Sequence, residues 1–196
     1  MNLVTLPAPD FTASAVLSNG EFVEDFNLKK YINNKIAVLF FWPMDFTFVC
    51  PSELIEFNNL YPEFKKRKVE LIGISIDSIF VHNAWRNTPI KQGGVGKLKY
   101  IMVSDIKKEI QRSYDIEHPH IGVALRASFL IDKNGIIRHQ TVNDLPFGRN
   151  ISEIIRMIDA LQFHEKNGEV CPVNWKKGNK GMHPSPEGVI KYFNEK

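Results

Sequence analysis

Cysteine is almost missing from this chain, with only Cys50 and Cys171 among 196 residues. Two are too few for a disulfide framework, and the absence of a Cys-x-x-Cys pair argues against a dithiol reductase. Long apolar runs are missing as well; none approaches the roughly 20 residues that span a bilayer. The start, Met1-Asn2-Leu3-Val4-Thr5-Leu6-Pro7, lacks the basic residues and apolar core of a secretory signal. The chain therefore reads as cytoplasmic, with no membrane partner. One-sided charge is lacking too. The 25 basic and 22 acidic residues leave a net charge of +3, and there is no basic-aromatic platform, so nucleic acid is not an expected partner. Internal repeats and low-complexity tracts are absent.

What remains is ordinary globular composition, 43% hydrophobic and 24% charged, enough for one sizeable core with an appended arm. Residues 11–17 and 21–23 flank Ser18-Asn19-Gly20, and Asn-Gly there predicts a hairpin closed by a type I′ turn with positive φ at both central residues. The unbroken apolar run at 36–41 has the character of a central strand covered on both faces. Leu54, Phe57, Leu60, Tyr61 and Phe64 recur at helical spacing and predict one helix over 51–66. A second buried strand follows at 69–76, and Asp77-Ser78 caps a helix that stops before Pro89.

Gln92-Gly93-Gly94-Val95-Gly96 reads as a loop needing unusual φ. No strand feeds it directly and no Lys-Ser/Thr ending follows, as a phosphate loop would require. A strand at 100–103, a helix at 106–114 and a hairpin of 128–131 with 136–142 come next. Asn150 then caps a helix whose apolar stripe is Ile151, Ile154, Ile155, Ile158 and Leu161. From Asn167 onward, glycines, prolines and lysines describe an extended arm with a short helix near 186–193. The order predicts an α/β fold with a mixed central sheet: a domain at 1–166 and a C-terminal arm at 167–196 carrying Cys171.

Chemistry concentrates where the strand at 36–41 ends. Pro51 suits the first position of a helix, where its missing N–H costs nothing, so Cys50 is delivered to a helix N-terminus. The free N–H groups and the helix dipole there favour the thiolate, which is the nucleophilic form. A cysteine among Phe, Trp and Val neighbours equally fits a buried small hydrophobe. His118-Pro119-His120 supplies two imidazoles without a third ligand at suitable spacing, and reads as a polar loop.

A strand, a cysteine at a helix start and a mixed sheet together resemble a thioredoxin-like core. Pro43-Met44-Asp45-Phe46-Thr47-Phe48-Val49-Cys50-Pro51 resembles the peroxiredoxin signature Pro-x-x-x-Thr-x-x-Cys, in the form of the typical 2-Cys branch. Ala8-Pro9-Asp10-Phe11, Ser75-Ile76-Asp77-Ser78 with Ala84-Trp85, Gly122-Val123-Ala124-Leu125-Arg126 and Gly168-Glu169-Val170-Cys171-Pro172 resemble further motifs of that family. The likeness spans nearly the whole chain.

The resemblance implies a thiol peroxidase acting on hydrogen peroxide and organic hydroperoxides, without metal or other cofactor. It implies Cys50 as peroxidatic nucleophile and Cys171 as resolving cysteine, the two forming an interchain redox disulfide in a homodimer, although the sequence alone equally allows an intrachain bond. Thr47 would hydrogen-bond the thiolate and the peroxide, Pro43 would shield the site from water, Arg126 would stabilise developing charge and Glu53 would hold an arginine. Thioredoxin or a flavoprotein disulfide reductase would be the electron donor. Phe80 and Val81 fall where the family joins dimers, which suggests a ring-shaped decamer. Gly93-Gly94-Val95-Gly96 with Tyr192-Phe193 resembles the motif pair of members prone to overoxidation, although Val95 stands where leucine is usual. Ala127 stands where glycine is common, which predicts a slight shift of that strand.

A non-catalytic redox sensor or an oligomeric holdase chaperone would also keep both cysteines. Only a peroxidase needs Thr47 and Arg126 around the sulfur. Lowering a thiol's pKa raises its thiolate fraction but lowers its intrinsic nucleophilicity, so fast peroxide reduction needs donors aimed at the reacting oxygens.

Overall fold

The computed structural model describes residues 2–195 and falls into two units, one ending at Ile151 and the other starting at Ser152. Its elements in chain order are β1 (Thr12–Val16), β2 (Phe22–Asn27), α1 (Leu28–Tyr31), β3 (Ile36–Phe41), α2 (Cys50–Asn59), α3 (Tyr61–Lys66), β4 (Val69–Ser75) and α4 (Ile79–Asn87). There follow β5 (Ile101–Ser104), α5 (Glu109–Ser113), β6 (Arg126–Ile131), β7 (Ile137–Asn143), α6 (Ile151–Asn167) and α7 (Pro186–Asn194). The strands form one sheet in the order β2-β1-β5-β4-β3-β6-β7. β3, β4 and β5 run parallel, while β1 and β6 pair antiparallel with β5 and β3. This is the expected mixed α/β plan.

β3 is buried along its whole length, and successive side chains point to opposite faces of the sheet. Phe40 stacks on Phe57 of α2 with ring centroids 4.0 Å apart. Phe41, on the other face, meets Tyr114 at 5.4 Å and Phe129 at 5.9 Å. The strand that leads into α2 is thus fixed by aromatic layers on both sides. Gly73 of β4 lies beside Phe40 in the register, and a Cβ there would come within 2.7 Å of both Phe40 and Trp42.

Two local expectations need correction. The first hairpin forms, but its turn is not type I′: Gly20 has φ +94° while Asn19 keeps an ordinary backbone. Gly20 N–H donates to the Leu17 carbonyl and Leu17 N–H to the Glu21 carbonyl, so the loop is one residue longer and needs only glycine at positive φ. The single helix expected over 51–66 is two, α2 and α3, broken at Leu60. Pro62 lies in the first turn of α3, and its ring and missing N–H prevent the helix from running through.

The glycine loop takes unusual φ as expected, at Gly93 and Gly96. Ala127 pairs with Val142 in the β6–β7 ladder. His118 and His120 lie in an exposed loop, where the His120 N–H donates to His118 Nδ1. Among the described residues no helix is long and apolar enough to cross a membrane.

The second unit is organised around the buried Trp175. Its indole packs against Phe163 at 4.8 Å and donates to the Asn179 carbonyl, and its own carbonyl accepts from Arg156. Val170 and Met182 exchange both backbone hydrogen bonds, which fixes the chain directly before Cys171. Ser185 caps α7 by accepting from the Gly188 N–H.

Gly73→Ala should destabilise the first unit by about 1–3 kcal/mol, because two buried aromatic rings must move to admit one methyl group. Urea denaturation followed by tryptophan fluorescence measures this; unchanged stability would contradict the packing described.

Candidate active site

The sheet order decides where the reactive groups meet. β3 ends at Phe41 and leads through a loop into α2, so Cys50 opens that helix at the carboxyl end of a parallel strand. β6 runs antiparallel to β3, and its first residue, Arg126, therefore lies at the end where β3 stops. No side chain caps the start of α2, and Pro51 occupies its first turn as expected.

Cys50 is fully buried and carries a free thiol. Its Sγ lies 2.9 Å from the Thr47 hydroxyl and 3.4 Å from Arg126 Nη1. The same hydroxyl is 2.7 Å from the Met44 carbonyl, so its one proton serves either the carbonyl or the sulfur. Arg126 Nε donates to the Leu145 carbonyl at 2.6 Å, which fixes the guanidinium plane. Pro43 is buried at the beginning of the same loop. Four of the six residues singled out in the sequence, Cys50, Thr47, Arg126 and Glu53, therefore form one contiguous cluster.

Glu53 lies one turn along α2 and faces inward. Its Oε2 accepts from Arg126 Nη1 at 2.8 Å and from Arg149 Nη2 at 2.8 Å. Its Oε1 accepts from the Arg149 backbone N–H at 2.9 Å and from Arg149 Nε at 2.8 Å. Burial alone would raise the Glu53 pKa, but the hydrogen bonds and charge of Arg149, with the charge of Arg126, outweigh it and hold the carboxyl below its ordinary value. Arg149 also donates to the Ala127 carbonyl at 2.7 Å and lies over the Phe40 and Phe57 rings.

Arg149 is the site residue that sequence reasoning missed. The signal was indirect: a buried glutamate facing inward from a helix has room for two guanidiniums, and Phe147-Gly148-Arg149 returns from β7 just ahead of α6.

Cys171 belongs to the second unit, where its free thiol is half-buried with Sγ 3.6 Å from the Ala160 carbonyl. Burial pushes this thiol above its ordinary pKa, with Arg156 offsetting part of the effect. At neutral pH it is held as the neutral thiol.

Because Glu53 is acidic in the fold, the stability it adds is complete above the ordinary carboxylate range. It is lost as pH falls through the lowered pKa. Glu53→Gln leaves two buried guanidiniums facing a neutral amide and should cost about 3–5 kcal/mol at neutral pH. In a pH series of urea unfolding curves, the gap to wild type should narrow below the ordinary carboxylate range; a gap independent of pH would contradict this electrostatic account.

Comparison with known proteins identifies the family. The AhpC/TSA family model matches residues 4–140, and the model described as the C-terminal domain of 1-Cys peroxiredoxin matches residues 160–196. Alkyl hydroperoxide reductase C of Buchnera aphidicola subsp. Baizongia pistaciae is 66% identical over 98% of this chain and 97% of its own length. The protein of that name from Helicobacter pylori strain 26695 is 51% identical, with the same two coverages. The crystal structure of reduced 2-Cys peroxiredoxin from Plasmodium vivax superposes with a TM-score of 0.95 at 47% identity, covering 99% of this chain and all of that one. The fold is thioredoxin-like, and the chain belongs to the AhpC/TSA family: it is a peroxiredoxin, a thiol-dependent peroxidase.

Proposed function

We propose that Cys50 is the nucleophile that reduces hydrogen peroxide and organic hydroperoxides, and that Cys171 of a partner subunit resolves the product. The observation that carries this is the pair of donors on one buried sulfur, Thr47 at 2.9 Å and Arg126 at 3.4 Å, at a helix start. Half-exposed Thr47 marks the side from which peroxide approaches. The Cys50 thiolate attacks one peroxide oxygen, forming an S–O bond as the O–O bond breaks. Sulfur is oxidised to sulfenic acid, and the departing hydroxide or alkoxide takes a proton to become water or an alcohol. Arg126 and Thr47 stabilise charge on the oxygens as it develops, which is where a fixed donor contributes most. Buried Pro43 keeps water from the sulfur, and Glu53 with Arg149 prevents the Arg126 guanidinium from swinging away.

The sulfenic acid then condenses with the Cys171 thiol, releasing water and forming the disulfide. The neutral, half-buried Cys171 suits this second role better than attack on peroxide. Cys50 begins a packed helix, so the first turn of α2 unwinds before the sulfurs can approach. An external dithiol donor, thioredoxin or a flavoprotein disulfide reductase in the cytoplasm, completes the cycle. The exposed aromatic pair Phe22 and Phe80, in edge contact at 5.6 Å, supports a surface for joining homodimers into a ring-shaped decamer.

Cys50→Ser should abolish catalytic peroxide consumption with a dithiol donor. Cys171→Ser should permit one turnover and leave Cys50 as a trapped sulfenic acid, and Thr47→Val should slow peroxide reduction by about 10²–10³. Peroxide turnover by Cys50→Ser, or wild-type speed in Thr47→Val, would overturn the assignment.

Overoxidation provides a separate check. Val95 is buried in the glycine loop, and Tyr192 and Phe193 form an edge contact on α7. We expect moderate sensitivity: turnover should fall at high peroxide as mass spectrometry detects Cys50 sulfinic acid. Undiminished turnover at high peroxide would refute it.

A further inference from the structure

Beneath the loop joining β3 to α2, Asp45, Asp77 and His82 bring carboxylate and imidazole atoms within 4.8 Å of one another. Hydrogen bonds account for each of them. Asp45 Oδ1 accepts from the Trp42 indole at 2.8 Å, and its Oδ2 faces His82 Nδ1 at 2.7 Å. His82 Nε2 lies 3.2 Å from the Val103 carbonyl. Asp77 Oδ2 accepts from the Ser75 hydroxyl at 2.6 Å and from the Asp45 backbone N–H at 2.8 Å.

That N–H and the Met44 carbonyl belong to one planar peptide group, so fixing one end fixes the other. The Met44 carbonyl is the one 2.7 Å from the Thr47 hydroxyl. Atoms at hydrogen-bond distance therefore lead from Asp77, through the 44–45 peptide and the Thr47 oxygen, to the Cys50 sulfur, with the single Thr47 proton shared between the last two contacts. Phe46, between these residues, has φ +54°, a conformation costly for a side chain of its size, and it persists only where the surroundings hold it. Asp45 is gripped on both sides, by its side chain and by its backbone, directly before that strained residue.

We propose that Asp77 is a positioning residue for the peroxide step. By holding the Met44–Asp45 peptide in one orientation it sets where the Thr47 hydroxyl sits beside the Cys50 sulfur, while His82 and Trp42 secure the Asp45 side chain. The inference rests on the role proposed for Thr47. Asp77→Ala removes the acceptor and frees the peptide to rotate. Asp77→Asn keeps a carbonyl oxygen for both the Asp45 N–H and the Ser75 hydroxyl.

The test is stopped-flow oxidation of Cys50 by hydrogen peroxide in the full-length chain, with thermal melting alongside. Asp77→Ala should slow oxidation by about 10- to 100-fold, and Asp77→Asn should restore most of the rate. In a Thr47→Val background Asp77→Ala should cause no further loss, because its effect runs through the absent hydroxyl. General loosening of the fold would instead slow both backgrounds alike. If Asp77→Ala does not fold, Ser75→Ala, which removes the hydroxyl that orients Asp77, enters the same cycle with the same non-additivity expected. A wild-type rate in Asp77→Ala, or a loss that persists in full beside Thr47→Val, overturns the proposal. A wild-type chain no faster than a free thiol would instead overturn the reading of Cys50 itself.

Discussion

A buried carboxylate shared by two guanidiniums holds the site together. Glu53 accepts from Arg126 and Arg149 with every contact between 2.8 and 2.9 Å, and this offsets the cost of burying both side chains. Removing three charges from water is costly, and their attraction offsets that cost only when geometry is good and the remaining hydrogens are bonded. Here the Leu145 carbonyl accepts from Arg126, the Ala127 carbonyl and the Ser128 hydroxyl accept from Arg149, and the Phe40 and Phe57 rings lie against Arg149. The result is a guanidinium that cannot choose another partner.

The sheet makes that interaction possible. α2 leaves the carboxyl end of β3, β6 enters at the same end from the opposite direction, and the loop after β7 returns Arg149 to it. Three segments distant in sequence thus converge on one helical turn. The proposed chemistry needs no more than this turn: a sulfur at its start, a carboxylate facing inward, and donors held rigidly around the sulfur. In the proposed chemistry, proton and charge transfer need no rearrangement of the surroundings, and only the proposed resolving step requires the turn to open.

Much of this was legible in the sequence because its signals were local. The apolar run at 36–41, Pro51 beside Cys50 and Ser78 before Val81 each dictate a nearby conformation, and each formed as read. The hairpin turn was misjudged because Asn-Gly serves more than one loop length, and cross-strand bonds decide between them. Pro62 was passed over because an apolar stripe at helical spacing continues through it. Thr47, Arg126 and Glu53 were found through family resemblance, since nothing local to them announces a shared sulfur. Arg149 and the polar network under the loop escaped notice because their partners are brought near only by the completed sheet.

The central claim is that the surroundings of Cys50 favour O–O cleavage rather than thiol reactivity in general. The direct measurement is the ratio of its rate constants toward hydrogen peroxide and toward iodoacetamide, at one pH, set against the same ratio for free cysteine. Both thiols then report the same two reactions, so differences in thiolate fraction cancel. The account predicts a ratio larger than that of free cysteine by at least about 10². Equal ratios would mean that Arg126 and Thr47 do nothing specific for peroxide, and would contradict it.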